Sequence, residues 1–345
     1  MNKLDREARA KILSLMCEGV SIRAITRLTG ASKNTVVRLL SDIGRACAEY
    51  QDNALRNLQC KRVQLDEIWA FVYAKNDNVR AAKSAPKDAG DVWTWTAICA
   101  DTKLLITTLV GRRDTRYAVH FVNDLRKRLA NRVQITSDGH RPYLTAVDTV
   151  FGEDVDFAQL VKIYGAEPGG ERRYSPAICL GAKKHRVIGN PNPKHISTSF
   201  AERQNLTMRM HMRRFTRLTN AFSKKLENHA YAVALHQMFY NFTRIHQTLR
   251  VTPAMAAGVT DRLWDMNDLV KVLEDWEADI ATAGTTYEVQ ADRIRRATTS
   301  SSTAVTRNKK RSSAFLPLTM PRRSLKPSAR SIGRDEGGKW QLSSR

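Results

Sequence analysis

Three acidic residues stand in surroundings that suit chemistry better than surface charge. Asp66 lies in the middle of KRVQLDEIWAFVYAK, residues 61–75, a stretch dominated by β-branched, aromatic and apolar residues with no Gly or Pro. A carboxylate within an apolar strand is costly to bury unless it is hydrogen-bonded, paired or bound to a metal. Asp138 follows a short apolar run and precedes Gly139, a usual place for a site residue in an α/β fold. Glu202 lies in a segment otherwise rich in Arg. Three converging carboxylates repel one another unless divalent cations neutralise them. Mg²⁺ and Mn²⁺ favour such oxygen donors and keep positions open for water and phosphate oxygens. Two ions roughly 3.5–4 Å apart can activate an attacking hydroxyl and stabilise the leaving oxygen of an in-line phosphoryl displacement. Catalytic and metal-binding roles are therefore expected for Asp66, Asp138 and Glu202, with two Mg²⁺ or Mn²⁺ ions.

Each acid also has a plain structural reading. Asp66 would be a strand-edge charge with Glu67 facing solvent, Asp138 would cap a turn with Gly139, and Glu202 would pair with Arg203 or Arg209. Helical spacing adds neighbours to the third acid. Glu202, Asn205 and Arg209 stand at i, i+3 and i+7 and share one helix face, which Arg213 continues. An amide and two guanidinium groups on that face suit a DNA strand crossing the site.

The elements that must position these residues can be read along the chain. Residues 5–18 form a charged, Ala-rich helix with Ile12, Leu15 and Met16 on one face, ended by Gly19. Ser21 caps a second helix that runs to Thr29. Gly30 turns the chain, and Ser32 caps a third, in which Val36, Leu39, Leu40 and Ile43 point inward. Helix, short Gly turn, helix is the layout of a helix-turn-helix, whose third helix exposes Lys33, Asn34, Thr35 and Arg38 to phosphates and base edges. A plain three-helix bundle is the ordinary reading of the same pattern.

Residues 49–60 read as a helical linker. Strands are expected at 61–75, 91–100 and 104–110, joined as an antiparallel meander. A helix at 115–129, a strand at 132–136 that runs into Asp138, a helix at 143–150 and a strand at 157–164 follow. This order is that of a ribonuclease H-like α/β core, a mixed sheet with flanking helices, spanning residues 61–260. Residues 165–194 are Gly/Pro-rich and basic and read as a long loop or insertion. Basic and amphipathic helices are expected at 195–215 and 220–244, and a short acidic C-terminal helix within 261–290.

The charge balance narrows the partner. The chain has 345 residues, a net charge of +23 and a hydrophobic fraction of 42%. A folded protein this basic favours a polyanion, and double-stranded DNA above all. Residues 291–345 carry 14 basic and 3 acidic residues, a net +11, with few apolar residues to build a core. They read as a disordered basic tail. No apolar run reaches transmembrane length, and MNKLDREAR lacks a signal-peptide core, so a cytoplasmic, nucleoid-associated protein without membrane contact is expected. The five cysteines, Cys17, Cys47, Cys60, Cys99 and Cys179, include no C-x-x-C pair, which argues against a disulfide scaffold or a zinc ribbon.

Three blocks carry a family resemblance. LDEIW at 65–69, SDGHRPY at 137–143 and FAERQNLTMR at 200–209 resemble the acidic blocks of DDE transposases, the insertion sequence 1 family in particular. Tyr240-Asn241-Phe242, Arg244, His246, Thr248-Leu249 and Thr252-Pro253-Ala254 resemble the segment that closes many transposase and integrase cores. The resemblance covers roughly residues 20–260. It implies a bacterial insertion-sequence transposase that binds terminal inverted repeats, cleaves a strand and joins the freed 3′-hydroxyl to target DNA. Two ends must be held together, which implies a homodimer or higher oligomer on DNA. Asp66, Asp138 and Glu202 fall on the metal-binding positions, and Arg209 on a basic position beyond the glutamate. The sequence departs from the family in lacking the N-terminal Cys cluster of many relatives. It also places a wide gap between the second and third acids, where Glu167 and Glu171 compete with Glu202. A catalytically inactive, domesticated DNA-binding protein and a nuclease that cuts without joining are the alternative readings.

Overall fold

A computed structural model describes residues 4–165, 179–216 and 220–283. The elements, in order, are α1 (Arg6–Cys17), α2 (Ile22–Thr29), α3 (Lys33–Ala54), β1 (Arg62–Val72), α4 (Asn76–Val79), β2 (Gly90–Cys99), β3 (Leu105–Gly111), α5 (Thr115–Arg128), β4 (Gln134–Asp138), α6 (Pro142–Phe151), β5 (Asp156–Tyr164), β6 (Cys179–Ile188), α7 (Ser199–His211), α8 (Leu226–Met238), α9 (Pro253–Ala256) and α10 (Met266–Ala283). Short 3₁₀ turns flank α7, and five π-helical residues, Phe239–Thr243, extend α8.

Among the described residues the strands form one mixed six-stranded sheet in the order β3-β2-β1-β4-β5-β6. β1, β2 and β3 pair antiparallel, β1, β4 and β5 pair parallel, and β6 returns antiparallel along β5. β1 is central. Its Leu65 and Ile68 are fully buried although they point to opposite faces, so helices cover both sides. Val122, Leu125 and Phe121 of α5 and Tyr143, Ala146 and Val147 of α6 belong to that core.

The first three helices start where side-chain caps start them. Asp5, Ser21 and Ser32 accept from the backbone N–H of Ala8, Ala24 and Thr35, and Gly30 ends α2 at φ +73°. Val36, Leu39, Leu40 and Ile43 are buried, as their spacing predicts.

Four stretches differ from the sequence expectation. No linker separates the N-terminal helices from the sheet: residues 49–54 are the last turns of the 22-residue α3. That half of α3 packs against α8, where a Cβ at Gly44 would stand 2.3 Å from the Cβ of Tyr231. Gln51 Nε2 donates to Ala234 O at 3.1 Å, and Arg45 Nε donates to the Tyr231 hydroxyl at 3.0 Å. On the other side Trp276 Nε1 of α10 donates to Glu49 at 3.1 Å, and Arg9 of α1 pairs with Glu277. The second correction falls in the expected 165–194 loop, where residues 179–188 are strand β6. Nine of its ten residues are exposed, so no apolar alternation announced it. Third, α7 ends at His211 because Met212 is extended (φ −125°, ψ 102°), so the basic helix stops short of residue 215. Fourth, the C-terminal helix expected at 263–278 runs from Met266 to Ala283. The expected tail at 291–345 lies outside the described residues, as do Glu167 and Glu171. Among the described residues, no helix is long and apolar enough to cross a membrane.

Candidate active site

The parallel pairing of β1 with β4 sets two of the acids side by side. Arg62 pairs with Gln134 and Gln64 with Thr136, so Asp66 and Asp138 lie at corresponding heights on adjacent strands. Asp138 is the last residue of β4, where the chain leaves the sheet. Its Oδ1 accepts from His140 N–H at 3.0 Å, which folds the SDGH turn back on itself. Gln159 of β5 holds the turn by donating to Asp138 O at 3.0 Å and to His140 O at 3.2 Å.

The third acid arrives on α7. That helix has no side-chain cap of its own at Thr198. Gln64 of β1 supplies the missing acceptor: its Oε1 takes the N–H groups of Phe200 and Ala201 at 2.8 and 3.1 Å. The start of α7 is thereby fixed two residues from Asp66 along β1, with Glu202 in the first turn. Asp66, Asp138 and Glu202 then line one cleft of about 750 Å³ with Arg113, His140, Arg141, Lys162 and Tyr164.

Each carboxylate has defined partners. Asp66 Oδ1 accepts from Glu67 N–H at 2.8 Å, and its Oδ2 accepts from Asn205 Nδ2 at 2.8 Å. Glu202 accepts from Thr198 Oγ1 at 2.5 Å and from Lys162 Nζ at 2.6 Å. Arg113 donates to Glu67 Oε2 at 3.0 Å and stands 3.8 Å from Asp138 Oδ2.

Glu67 does not face solvent, contrary to the simple strand reading. Its side chain is 1% exposed. β1 is covered on both faces, so Glu67 is buried, while Asp66 is partly buried at the wall of the cleft. The uninterrupted apolar run around them carried that signal, because a half-exposed strand alternates instead. Carboxylate oxygens of Asp66, Glu67 and Asp138 all lie within 4.8 Å of one another. Burial, with the neighbouring charges of Glu67, Asp138 and Glu202 adding to it, pushes the Asp66 carboxyl up to about 7. Burial and the Asp138 charge raise Glu67 likewise to about 7. The buried Tyr143 hydroxyl faces Glu67, and the hard, all-oxygen donor set of the three carboxylates fits a divalent cation.

The expected nucleic-acid residues divide. Lys33, Asn34 and Arg38 are exposed at the start of α3, and Thr35 is half-buried with its hydroxyl 2.9 Å from that of Ser32. Asn205 is not placed to meet DNA: it is 7% exposed and committed to Asp66, at hydrogen-bonding distance from Thr96 as well. The i+3 spacing that put it on the Glu202 face turns that face toward β1. Arg209 is half-buried in the last turn of α7. Arg213 is exposed but sits in the 3₁₀ turn beyond Met212, off the helix face it was expected to continue. Sequence reasoning missed Arg113 and Lys162, whose roles depend on where β3 and β5 end relative to the acids.

Neither a protein-family profile nor a curated protein matches this chain. A cryo-EM structure of the piggyBac transposase synaptic complex with hairpin DNA is similar at a TM-score of 0.36 and 8% sequence identity, covering 87% of this chain and 77% of that chain. At that score the likeness fixes neither fold nor activity.

Proposed function

We propose that the chain is a DNA-processing phosphoryl transferase, a DDE-type transposase of a bacterial insertion sequence, acting from a ribonuclease H-like core. The observation that carries this reading is the cleft lined by Asp66, Asp138 and Glu202, 136 positions apart from first to last, in which Asp66 and Asp138 cluster tightly with Glu67, and Glu202 stands outside that cluster. The strand order, three antiparallel strands followed by parallel β4 and β5, supports the assignment of the core.

Asp66, Asp138 and Glu202 would hold Mg²⁺ or Mn²⁺, with Glu67 behind the first two. When bound, such ions sharpen a water or 3′-hydroxyl as nucleophile and stabilise the leaving oxygen of an in-line displacement. The chain's own groups do the rest. Asn205 orients Asp66, Gln159 fixes the turn that carries Asp138, and Gln64 sets the start of α7. Lys162 and Arg113 hold the carboxylates' charge while the cleft is without cations, and they are placed to meet an entering phosphate. In this reading α2 and α3 form a helix-turn-helix that reads terminal repeats through Lys33, Asn34, Thr35 and Arg38. Arg209 and Arg213 extend the basic surface. The protein works in the cytoplasm on the nucleoid, as at least a dimer when two ends are synapsed.

The test is an in vitro reaction with Mn²⁺ or Mg²⁺ on DNA that carries the element's own ends. Cleavage followed by joining to a target duplex supports a transposase. Cleavage without joining moves the reading to a nuclease. Binding without cleavage, under conditions in which a control transposase works, moves it to a DNA-binding relative.

A further inference from the structure

The least expected element of the sheet lies beside the cleft. β6 follows β5 as the outer strand, and its sequence CLGAKKHRVI contains Lys183, Lys184, His185 and Arg186 in succession and no acid. Register places these cations on both faces of the two-stranded ribbon. Lys184 lies opposite Leu160 and Arg186 opposite Ala158, the side from which Lys162 reaches Glu202. Lys183 lies opposite Val161 and His185 opposite Gln159, the side that holds the Asp138 turn. Leu160, Val161, Lys162 and Tyr164 of the ribbon line the cleft itself.

Among the described residues the β6 cations make no ion pair with a carboxylate. Lys184 Nζ donates to the carbonyl of Pro193 at 2.7 Å and Arg186 to the side-chain carbonyl of Asn190 at 3.4 Å, both neutral partners. Lysines on an edge strand also discourage pairing with a second sheet. That role accounts for the charge but not for the exposed apolar groups at the start of the same ribbon. Tyr164 is 58% exposed and Leu180 69% exposed. Four consecutive cations on a strand that runs beside a carboxylate cleft match the phosphate backbone of a duplex, and the exposed Tyr164 and Leu180 at the other end of the ribbon leave that surface uncovered.

We propose that the β5–β6 ribbon is a DNA-docking surface, separate from the N-terminal helices, which carries the phosphate backbone of a duplex toward the cleft. It rests on the reading of the cleft as a DNA-processing site. Lys184, Arg186 and Lys162 track one side of the backbone toward Glu202, while Lys183 and His185 face the other side.

The full-length protein provides a native probe. Cys179, the first residue of β6, is exposed, whereas Cys17, Cys47, Cys60 and Cys99 are buried. A thiol-reactive photocrosslinker on Cys179 is expected to give protein–DNA adducts with a 30-base-pair duplex, lost in Cys179→Ser. Binding of the same duplex is then measured by anisotropy from ~50 to ~200 mM salt for two double variants. Lys184→Ala/Arg186→Ala is expected to bind at least tenfold more weakly and to lower the salt slope by about 2, because each lost phosphate contact removes about 0.9. Lys11→Ala/Lys271→Ala, which removes equal charge from exposed positions elsewhere, is expected to stay within twofold of wild type. Thermal melting of each variant checks its fold. If wild type binds the duplex but the ribbon variant matches it, or both variants weaken equally, the ribbon assignment is overturned and the DNA-processing reading stands. If wild type does not bind duplex DNA at all, both are overturned.

Discussion

Asp66 is held by two hydrogen bonds of different kinds, and only one belongs to its own strand. The Glu67 N–H comes with the backbone, whereas Asn205 is brought by α7. A hydrogen bond to a charged group contributes about 1.5–3 kcal/mol, so its loss corresponds to roughly 10- to 150-fold. Asn205→Leu is therefore expected to lower metal-dependent DNA cleavage at least tenfold while leaving duplex affinity within twofold. A parallel loss of affinity would return Asn205 to the DNA-contact role that its spacing alone suggested. The raised carboxyls give a second prediction. Asp66 and Glu67, pushed up to about 7, hold protons below that pH that a divalent cation must displace. Mn²⁺ affinity is expected to fall as pH drops from 8 to 6, with protons released on binding, in calorimetric titrations run in buffers of different ionisation enthalpy. An affinity flat across that range would contradict the raised carboxyls of this pair. For the metal-free protein the sign is opposite to that of a salt-bridged acid. Between the ordinary carboxylate range and about 7 the folded state keeps protons that the unfolded chain has lost, so these two groups cost stability as pH rises through that window.

At the scale of elements, α7 ties the cleft to the N-terminal helices. Glu202 lies in its first turn, and at its other end a Cβ on Gly19 would stand 3.1 Å from His211 O, so the α1–α2 corner rests on its last turn. From Glu202 to His211 the helix spans roughly 14 Å. The second half of α3 locks the same helices to the core through the Gly44–Tyr231 crossing. Alanine is the better helix former by about 1 kcal/mol. Here the added methyl would meet the Cβ, Cα and carbonyl oxygen of Tyr231 at 2.3, 2.7 and 2.9 Å, and backbone cannot step aside as a flexible side chain can. Overpacking of about 1–3 kcal/mol wins. Gly44→Ala is expected to lower the melting temperature by several degrees, and a rise would show that α3 and α8 cross less tightly.

These elements mark what was legible in the sequence. Periodicity and Ser caps located α1 to α3, and the apolar runs located β1 to β5 within a few residues. β6 was hidden because its residues face solvent on both sides and leave no alternation. The fused α3 was hidden because a polar helical stretch looks the same whether it links domains or packs through a single glycine. The pairing of Lys162 with Glu202 and of Arg113 with Glu67 is a tertiary fact, with partners 40 and 46 residues apart and no shared pattern.

At the scale of the whole molecule, the chain carries a net charge of +23 and the floor of its cleft is acidic. A basic chain gathers a polyanion, while an acidic floor repels it unless cations intervene, so binding and chemistry should separate experimentally. The most direct test is the rate of cleavage of a duplex oligonucleotide against Mn²⁺ concentration for wild type, Asp138→Asn and Glu202→Gln. Saturable Mn²⁺-dependent cleavage in wild type is expected, reduced at least a hundredfold in both variants with duplex affinity within twofold. Cleavage that needs no divalent cation, or that survives either substitution at the wild-type rate, would contradict the assignment of these carboxylates as the reacting centre.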